Sequence, residues 1–192
     1  MTFIPSDRHD TYSTIDPAKA DLNGKVVLVT GASKGIGRAI ALAIAQSGAS
    51  GLVLLARSPM LSVKDECLAV QRSEHRLQVL PLQIDITDHD QVVAAVREVE
   101  ATFGRLDIVI NNAGYMEYHN LIADSNPEDW WRVWEINLRG LYHVTRAVLP
   151  LLIKCSGDKT IVNLSSIGSH RLSARFSSYT VCLSRPIIGD TS

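Results

Sequence analysis

Residues 30–37 have the types and spacing that could do chemistry, and they read TGASKGIG. They follow the apolar, β-branched run at residues 26–29, which predicts a strand buried on both faces, and they lead into an apolar pattern at helical spacing. A strand, a glycine turn and a helix in this order present backbone N–H groups to a phosphate. Gly31 can take the tight turn, Gly35 lets the backbone approach a pyrophosphate, and Gly37 lets the helix pack close to the strand. We therefore predict a dinucleotide site; the alternative is a merely tight turn.

Two cations lie where such a fold places the adenosine ribose. The second predicted strand, residues 52–55, is followed by Ala56 and Arg57, and Lys34 lies inside the glycine turn. An acidic residue at this strand end favours NAD, whereas an arginine can hold a 2′-phosphate with two parallel hydrogen bonds. We predict NADP(H) as the cofactor; the alternative is that both cations are solvated surface charges.

The rest of the chain alternates strand and helix patterns. This predicts an α/β fold with a doubly wound parallel sheet, the Rossmann fold, in one domain. The predicted strands are residues 26–29, 52–55, 78–84, 106–110 and 160–164, and the predicted helices are residues 36–46, 59–75, the amphipathic stretch after Asp88 and a long segment from Pro127. Pro81 fits an edge strand better than a central one, because it has no N–H to donate. We expect a flexible N-terminal arm (1–22), a dinucleotide-binding and catalytic domain (23–182) and an atypical tail (183–192).

The composition is that of an ordinary globular domain. Of the 192 residues 46% are hydrophobic and 20% charged, and the net charge of −1 gives no electrostatic reason to expect nucleic acid or an anionic membrane as a partner. The three cysteines are widely spaced and form no C-x-x-C motif, so neither a metal site nor a disulfide framework is predicted, and a reducing compartment fits. The polar N-terminus is not a secretory signal, and no apolar run reaches transmembrane length. We expect a cytoplasmic protein.

The chain resembles the short-chain dehydrogenases/reductases. Their cofactor turn is TGxxxGxG, and their second fingerprint, NNAG, appears here as residues 111–114 after the fourth predicted strand. In this tetrad short polar side chains cross-link neighbouring backbone, and small residues leave room for the cofactor ribose. The resemblance implies that Asp85 contacts the adenine amino group; helix capping is the alternative role for this carboxylate. The cofactor-binding residues that we expect are Gly31, Ser33, Lys34, Gly35, Ile36, Gly37, Arg57, Asp85, Asn112, Ala113 and Gly114.

The resemblance also implies three catalytic residues. Ser166 would bind the substrate oxygen and Tyr179, 13 residues further on, would give or take the proton. Asn137 would hold a water of the proton relay, although a satisfied core amide is the alternative; Ser165 is the alternative to Ser166. The implied reaction is hydride transfer between NADP(H) and a small alcohol or carbonyl substrate, in a family whose members often form oligomers through long helices such as the tryptophan-rich one here.

One residue of the family pattern is missing. The family has a lysine four residues after the tyrosine, where this chain has Leu183. A tyrosine with a pKa near 10 is a poor base at neutral pH unless a cation favours the phenolate. Arg185 is six residues after Tyr179 and precedes Pro186, which disfavours helix there. The chain stops before the last strands of the family fold. We expect weak turnover; the alternatives are an inactive nucleotide-binding module, a partner of a full-length relative, or a truncated product without function.

Overall fold

The computed structural model of the protein describes residues 12–72, 76–170 and 175–183. Within these ranges the chain forms one five-stranded parallel sheet with a packed core on each face, so the predicted doubly wound fold is confirmed. The strands are β1 (Val26–Thr30), β2 (Gly51–Ala56), β3 (Gln78–Gln83), β4 (Ile108–Asn111) and β5 (Thr160–Asn163). Their order in the sheet is β3-β2-β1-β4-β5. Successive strands are added on one side of β1 up to β3 and then on its other side from β4, so the strand order reverses between β1 and β4. Ligands of open parallel sheets bind at such a reversal, outside the C-terminal ends of the strands.

Six α-helices accompany these strands within the described residues. They are α1 (Gly35–Gln46), α2 (Leu61–Val70), α3 (His89–Phe103), α4 (Pro127–Trp134), α5 (Leu141–Lys154) and α6 (Ser177–Leu183), and a π-helical segment, Glu135–Gly140, joins α4 to α5. Local side chains explain two of the helix starts. Asp88 accepts from the N–H groups of the first turn of α3, and Asn126 does the same for α4, where Pro127 takes the first helical position.

The two faces of the sheet bury different side chains. Along β1, Val27 and Val29 pack with Ala41 of α1, whereas Leu28 packs on the other face with Val148 of α5. This alternation is the period of two that a strand imposes. Both β1 and β2 are buried along their whole length, as expected for central strands of a parallel sheet.

The outer strands differ from the central ones. Within the described residues, β3 pairs only with β2, and β5 pairs only with β4. Pro81 lies in β3 opposite Leu54, so the predicted edge position of this proline is confirmed. On β5, Thr160, Val162 and Asn163 are exposed.

Two helices differ from the sequence-based expectation. The helix predicted over residues 59–75 covers only Leu61–Val70, and residues 73–75 lie outside the described ranges. Gln71 ends this helix because its side chain donates to the Leu68 carbonyl at 3.0 Å and accepts from the Leu77 N–H at 3.0 Å, which directs the chain into β3. The long helix from Pro127 is interrupted by the π-helical segment, which apolar periodicity did not predict.

The two ends of the chain lie partly outside the described residues. Residues 1–11 and 184–192 are outside, including Arg185 and Pro186, so the predicted arm and tail stay predictions. Residues 12–22 contact the domain. The side chain of Arg72 donates to the Ala20 carbonyl at 2.7 Å and to the Gln46 carbonyl at 2.9 Å, and the Leu22 N–H donates to the Ser47 carbonyl at 2.9 Å.

Candidate active site

The glycine turn after β1 leaves no room for side chains on its inner side. A Cβ on Gly37 would lie 2.2 Å from the carbonyl oxygen of Gly31, and one on Gly31 would lie 2.9 Å from the Cα of Ala113. Gly31 and Gly35 both have positive φ, 67° and 56°, which favours glycine. A Cβ on Gly35 would meet nothing within 4 Å, so this part of the turn faces open space. The backbone at the start of α1 can therefore be approached closely by a ligand.

The NNAG tetrad is hydrogen-bonded to this turn. The Oγ1 of Thr30, a residue only 1% exposed, accepts from the N–H groups of Asn112 and Ala113, both at 3.0 Å. The Asn112 side chain donates to the Thr30 carbonyl at 2.9 Å and to the Gly31 carbonyl at 3.4 Å. The tetrad and the glycine turn are thus one rigid unit at the ends of β4 and β1, which agrees with the expected cross-linking by short polar side chains.

Two cations and one carboxylate lie beside the turn. Lys34 is exposed in the turn, and Arg57 is exposed directly after β2. The Arg57 guanidinium lies 4.0 Å from the Asp85 carboxylate. The other Asp85 oxygen accepts from the N–H and the hydroxyl of Thr87, both at 2.9 Å. Asp88, not Asp85, caps α3. The Asp85 carboxylate stabilises only a local turn with Thr87 and does not cap the helix.

A cavity of about 500 Å³ connects these groups. It lies at the C-terminal ends of the strands, as the fold requires. The predicted residues that line it are Gly31, Ser33, Lys34, Gly35, Ile36, Gly37, Arg57, Asp85, Asn112, Ala113, Gly114 and Tyr179. All eleven predicted cofactor residues thus share one cavity with the predicted proton donor.

Asn137 lies in the π-helical segment and does not line this cavity. Its side-chain oxygen accepts from the Tyr115 N–H at 2.7 Å, and its side-chain nitrogen donates to the Tyr115 carbonyl at 2.8 Å. The same nitrogen lies 3.6 Å from the thiol of Cys182, whose pKa is raised by burial. Asn137 therefore holds the backbone directly after NNAG, and its role in a proton relay stays a prediction.

Ser166 and Tyr179 come together around Gly168. A Cβ on Gly168 would lie 3.2 Å from a ring carbon of Tyr179 and 3.6 Å from the Oγ of Ser166. The Ser166 hydroxyl accepts from the Gly168 N–H at 3.2 Å and begins a short 3-10 turn, whereas Ser165 is exposed. Tyr179 lines the cavity from α6, and Ser166 does not. Leu183, the fourth residue after Tyr179, is the last residue of α6.

Several residues at the site were not predicted. Tyr115 and Met116 line the cavity after NNAG, and Ala56, Ser58, Ile84 and Ile86 line its other side. The Tyr115 hydroxyl donates to Asp129, and this hydrogen bond, with burial, raises the pKa of Tyr115. Thr30 could have been found, since a threonine directly before a glycine turn at a strand end can accept from a neighbouring loop. No sequence signal indicated the hydrogen bonds between Tyr115 and Asn137 or those that Glu117 accepts from α6.

Comparison with known proteins identifies the family. The family model described as short chain dehydrogenase matches residues 25–182. The short chain dehydrogenase mpl6 of Monascus purpureus is 48% identical over 172 residues, which are 88% of this chain and 59% of that protein. This protein therefore belongs to the short chain dehydrogenase family, and it spans about 59% of the length of that relative. It has the Rossmann fold.

Two solved structures show the same fold. A short chain dehydrogenase from Shigella flexneri, solved with NADP, has a TM-score of 0.74 and 29% identity, over 86% of this chain and 69% of that one. Carveol dehydrogenase from Mycobacterium avium, solved with NAD, has a TM-score of 0.76 and 25% identity, over 86% and 62%. The two similar proteins were thus solved with different nicotinamide cofactors.

The described residues contain neither a membrane-spanning helix nor a cluster of metal ligands. No helix in the ranges 12–72, 76–170 and 175–183 is long and apolar enough to cross a membrane. In the same ranges no group of three or more histidine, cysteine and acidic side chains could hold a metal ion.

Proposed function

We propose that this protein binds NADP(H) and transfers hydride between it and a small alcohol or carbonyl compound. The observation that carries the proposal is the single cavity lined by the glycine turn, by the cations Lys34 and Arg57, by NNAG and by Tyr179. The residues fit a dinucleotide phosphate, since Gly35 faces open space at a helix N-terminus and a side chain on Gly37 could not be accommodated. When bound, the nicotinamide supplies or accepts the hydride.

The side chains of this chain would orient the substrate and move its proton. Tyr179 is half-buried at the cavity wall and would act as acid or base at its hydroxyl. Ser166, whose Oγ lies near the same Cβ position of Gly168 as the Tyr179 ring, would hydrogen-bond the substrate oxygen. Asn137 would act by fixing the Tyr115 backbone, and through a relay water if one binds beside it.

The effect of lacking a lysine at residue 183 is tested by introducing one. On a helix, residues four apart lie on one face, so a lysine at 183 would lie beside Tyr179. We expect Leu183→Lys to raise kcat for a carbonyl substrate by about a hundredfold, because a cation favours the phenolate. Leu183→Met is the matched control and should leave kcat unchanged. Equal turnover of the lysine and methionine variants would contradict the proposed role of the missing cation.

The cofactor preference is tested at the two cations. Lys34→Gln and Arg57→Gln should each weaken NADPH binding by about tenfold, the value of one charge-assisted hydrogen bond, and should leave NADH binding unchanged. Arg97→Gln, at an exposed arginine of α3 that does not line the cavity, is the control. Calorimetric titration of all four proteins gives the dissociation constants. Equal losses for NADPH and NADH would contradict a contact with the 2′-phosphate.

A second function is a nucleotide-binding module that does not turn over, alone or as the partner of a full-length relative. Leu183, at the position where the family has a lysine, favours it. A product without function is the third alternative. Trp131, Tyr142 and Leu149 are exposed along α4 and α5, which supports a homo-oligomer. Size-exclusion chromatography with light scattering would test assembly. The cytoplasmic location and the absence of nucleic-acid and membrane partners stay predictions.

A further inference from the structure

Among the described residues, no neighbouring side chain caps the start of the helix that carries Tyr179. In α6 (Ser177–Leu183), the N–H groups of Ser178 and Tyr179 belong to the first turn and have no carbonyl partner within the helix. The preceding residue, Phe176, accepts from the Thr180 N–H at 3.0 Å through its backbone, but its side chain has no acceptor. The first turn of this helix therefore needs an acceptor from another part of the chain.

Glu117 supplies that acceptor from about sixty residues away in sequence. One carboxylate oxygen, Oε1, accepts from the Ser178 N–H at 2.9 Å and from the Tyr179 N–H at 3.2 Å. Glu117 is 5% exposed, and its other oxygen, Oε2, has no hydrogen-bond partner among the described residues. Burying a carboxylate costs free energy, so its position needs a reason, and the two N–H groups provide one.

A second contact holds the start of α6 without replacing this cap. The Trp130 indole N–H donates to the Ser177 hydroxyl at 2.9 Å, and the Ser178 hydroxyl donates to the Trp130 carbonyl at 2.8 Å. Both bonds use the serine side chains, so they leave the two N–H groups to Glu117.

Glu117 directly follows a segment that lines the cavity. Gly114, Tyr115 and Met116, the three residues before it, line the cavity together with Tyr179. The carboxylate therefore connects the cavity wall after NNAG to the backbone N–H of the predicted catalytic tyrosine.

We propose that Glu117 is a positioning residue that caps α6 and thereby holds the Tyr179 side chain in the cavity. The cap depends only on the observed hydrogen bonds, whereas its effect on the reaction rests on the proposed function. Only Oε1 accepts, so a glutamine can make the same two bonds without the charge. Glu117→Gln should therefore preserve the cap, and Glu117→Met, of similar length but with no acceptor oxygen, should remove it.

Amide hydrogen exchange measured by NMR on the nucleotide-free protein tests the cap. In Glu117→Met the Ser178 and Tyr179 N–H groups should exchange about tenfold faster than in the wild type, and in Glu117→Gln their rates should stay within about twofold. Glu128→Met, at an exposed glutamate of α4, is the control. Unchanged rates in Glu117→Met would overturn the proposal. If this variant does not fold, Glu117→Asp, whose shorter side chain withdraws the carboxylate, should give the same acceleration, and wild-type rates in it would overturn the proposal.

The position of the Tyr179 side chain and its effect on turnover are tested by separate measurements. With 3-fluorotyrosine incorporated, the fluorine resonance of Tyr179 should shift towards the free-tyrosine value in Glu117→Met and not in Glu117→Gln; an unshifted resonance would overturn the positioning role. In the Leu183→Lys background, Glu117→Met should lower kcat by about tenfold and leave the KM for NADPH within about twofold. An unchanged kcat would also overturn it. If Leu183→Lys shows no turnover, the proposed function fails, and the two cofactor-free measurements still decide the role of Glu117.

Discussion

The nucleotide side and the catalytic side of the sheet differ in how their residues are held. On the nucleotide side, β1 and β2 are buried along their whole length, and the turn between β1 and α1 is fixed by its own glycines and by NNAG. On the catalytic side, β5 is largely exposed, and α6 is held by side chains of Glu117 and Trp130. The nucleotide site is thus fixed by close backbone packing and by a motif at the end of the adjacent strand, whereas the position of Tyr179 depends on side-chain hydrogen bonds from Glu117 and Trp130.

The largest expected effect is on the nucleotide side, at Gly37. Gly37→Val should lower the free energy of unfolding by at least about 4 kcal/mol and abolish NADPH binding, because a Cβ there would lie 2.2 Å from the Gly31 carbonyl oxygen. Chemical denaturation and calorimetric titration measure the two effects.

Gly24→Ala separates steric conflict from backbone strain. Gly24 has a φ of 74° and open space around its Cβ position, so this variant should cost only about 1 kcal/mol and leave NADPH binding unchanged. A Gly37→Val protein as stable as Gly24→Ala would mean that the turn is not the rigid part of the site.

Thr30 gives the next largest effect. Thr30→Val keeps the shape of the side chain but leaves the N–H groups of Asn112 and Ala113 without their acceptor, which should cost about 2 to 3 kcal/mol. NADPH binding should weaken in parallel, since Asn112 and Ala113 line the cavity. Thr160→Val, on the exposed strand β5, is the control and should change stability by less than about 0.5 kcal/mol. Equal stabilities of the two variants would contradict the link between turn and tetrad.

Asp107, at the end of the strands opposite the cavity, should make the stability of the protein depend on pH. Burial alone would raise the pKa of this fully buried carboxyl, but hydrogen bonds from Arg105, Cys155 and the Val26 N–H outweigh it and hold the pKa below its usual value. A pKa lowered by folding stabilises the protein above the unfolded value, about 3.9, and this stability is lost as the pH falls through the folded value. Asp107→Asn should cost about 1.5 kcal/mol at pH 7.

The stability difference between the wild type and Asp107→Asn should therefore shrink as the pH falls from about 5 to about 2, as measured by urea denaturation. A difference that stays constant over this range would show that the carboxylate charge does not link β1 to β4.

The smallest expected effect is on the catalytic side. Trp130→Phe removes the indole donor to the Ser177 hydroxyl and should cost about 1 kcal/mol, with NADPH binding within about twofold of the wild type. Trp131→Phe, at a tryptophan that is 61% exposed, should cost less than Trp130→Phe. If Trp130→Phe weakened NADPH binding as strongly as Thr30→Val, the two sides of the sheet would not be independent.

The sequence was informative where site residues directly follow a buried strand. The glycine turn and NNAG each directly follow a buried strand, so the sheet brings them together, and all the cofactor residues predicted from them line one cavity. The strands were predicted to within two residues at each end for the same reason, since buried parallel strands are short apolar runs.

Side-chain contacts outside these motifs could not be predicted. The hydrogen bonds that Asn137 accepts from the Tyr115 N–H and Glu117 accepts from the Ser178 N–H join residues 22 and 61 positions apart, and neither pair follows a periodic pattern. The π-helical segment was missed because residues 135–140 continue the apolar pattern of a helix without proline. The early end of α2 at Val70 depends on hydrogen bonds of Gln71, a residue that is compatible with helix.

Thermal denaturation of the 192-residue protein with NADPH, and in parallel with NADH, tests the central claim most directly. A ligand that binds only the folded state stabilises it by about 2.7 kcal/mol at a hundredfold excess over its Kd. We predict one cooperative transition whose midpoint rises with NADPH and much less with NADH, since Lys34 and Arg57 line the cavity. A transition that responds to neither nucleotide would contradict a self-contained nucleotide site in this chain.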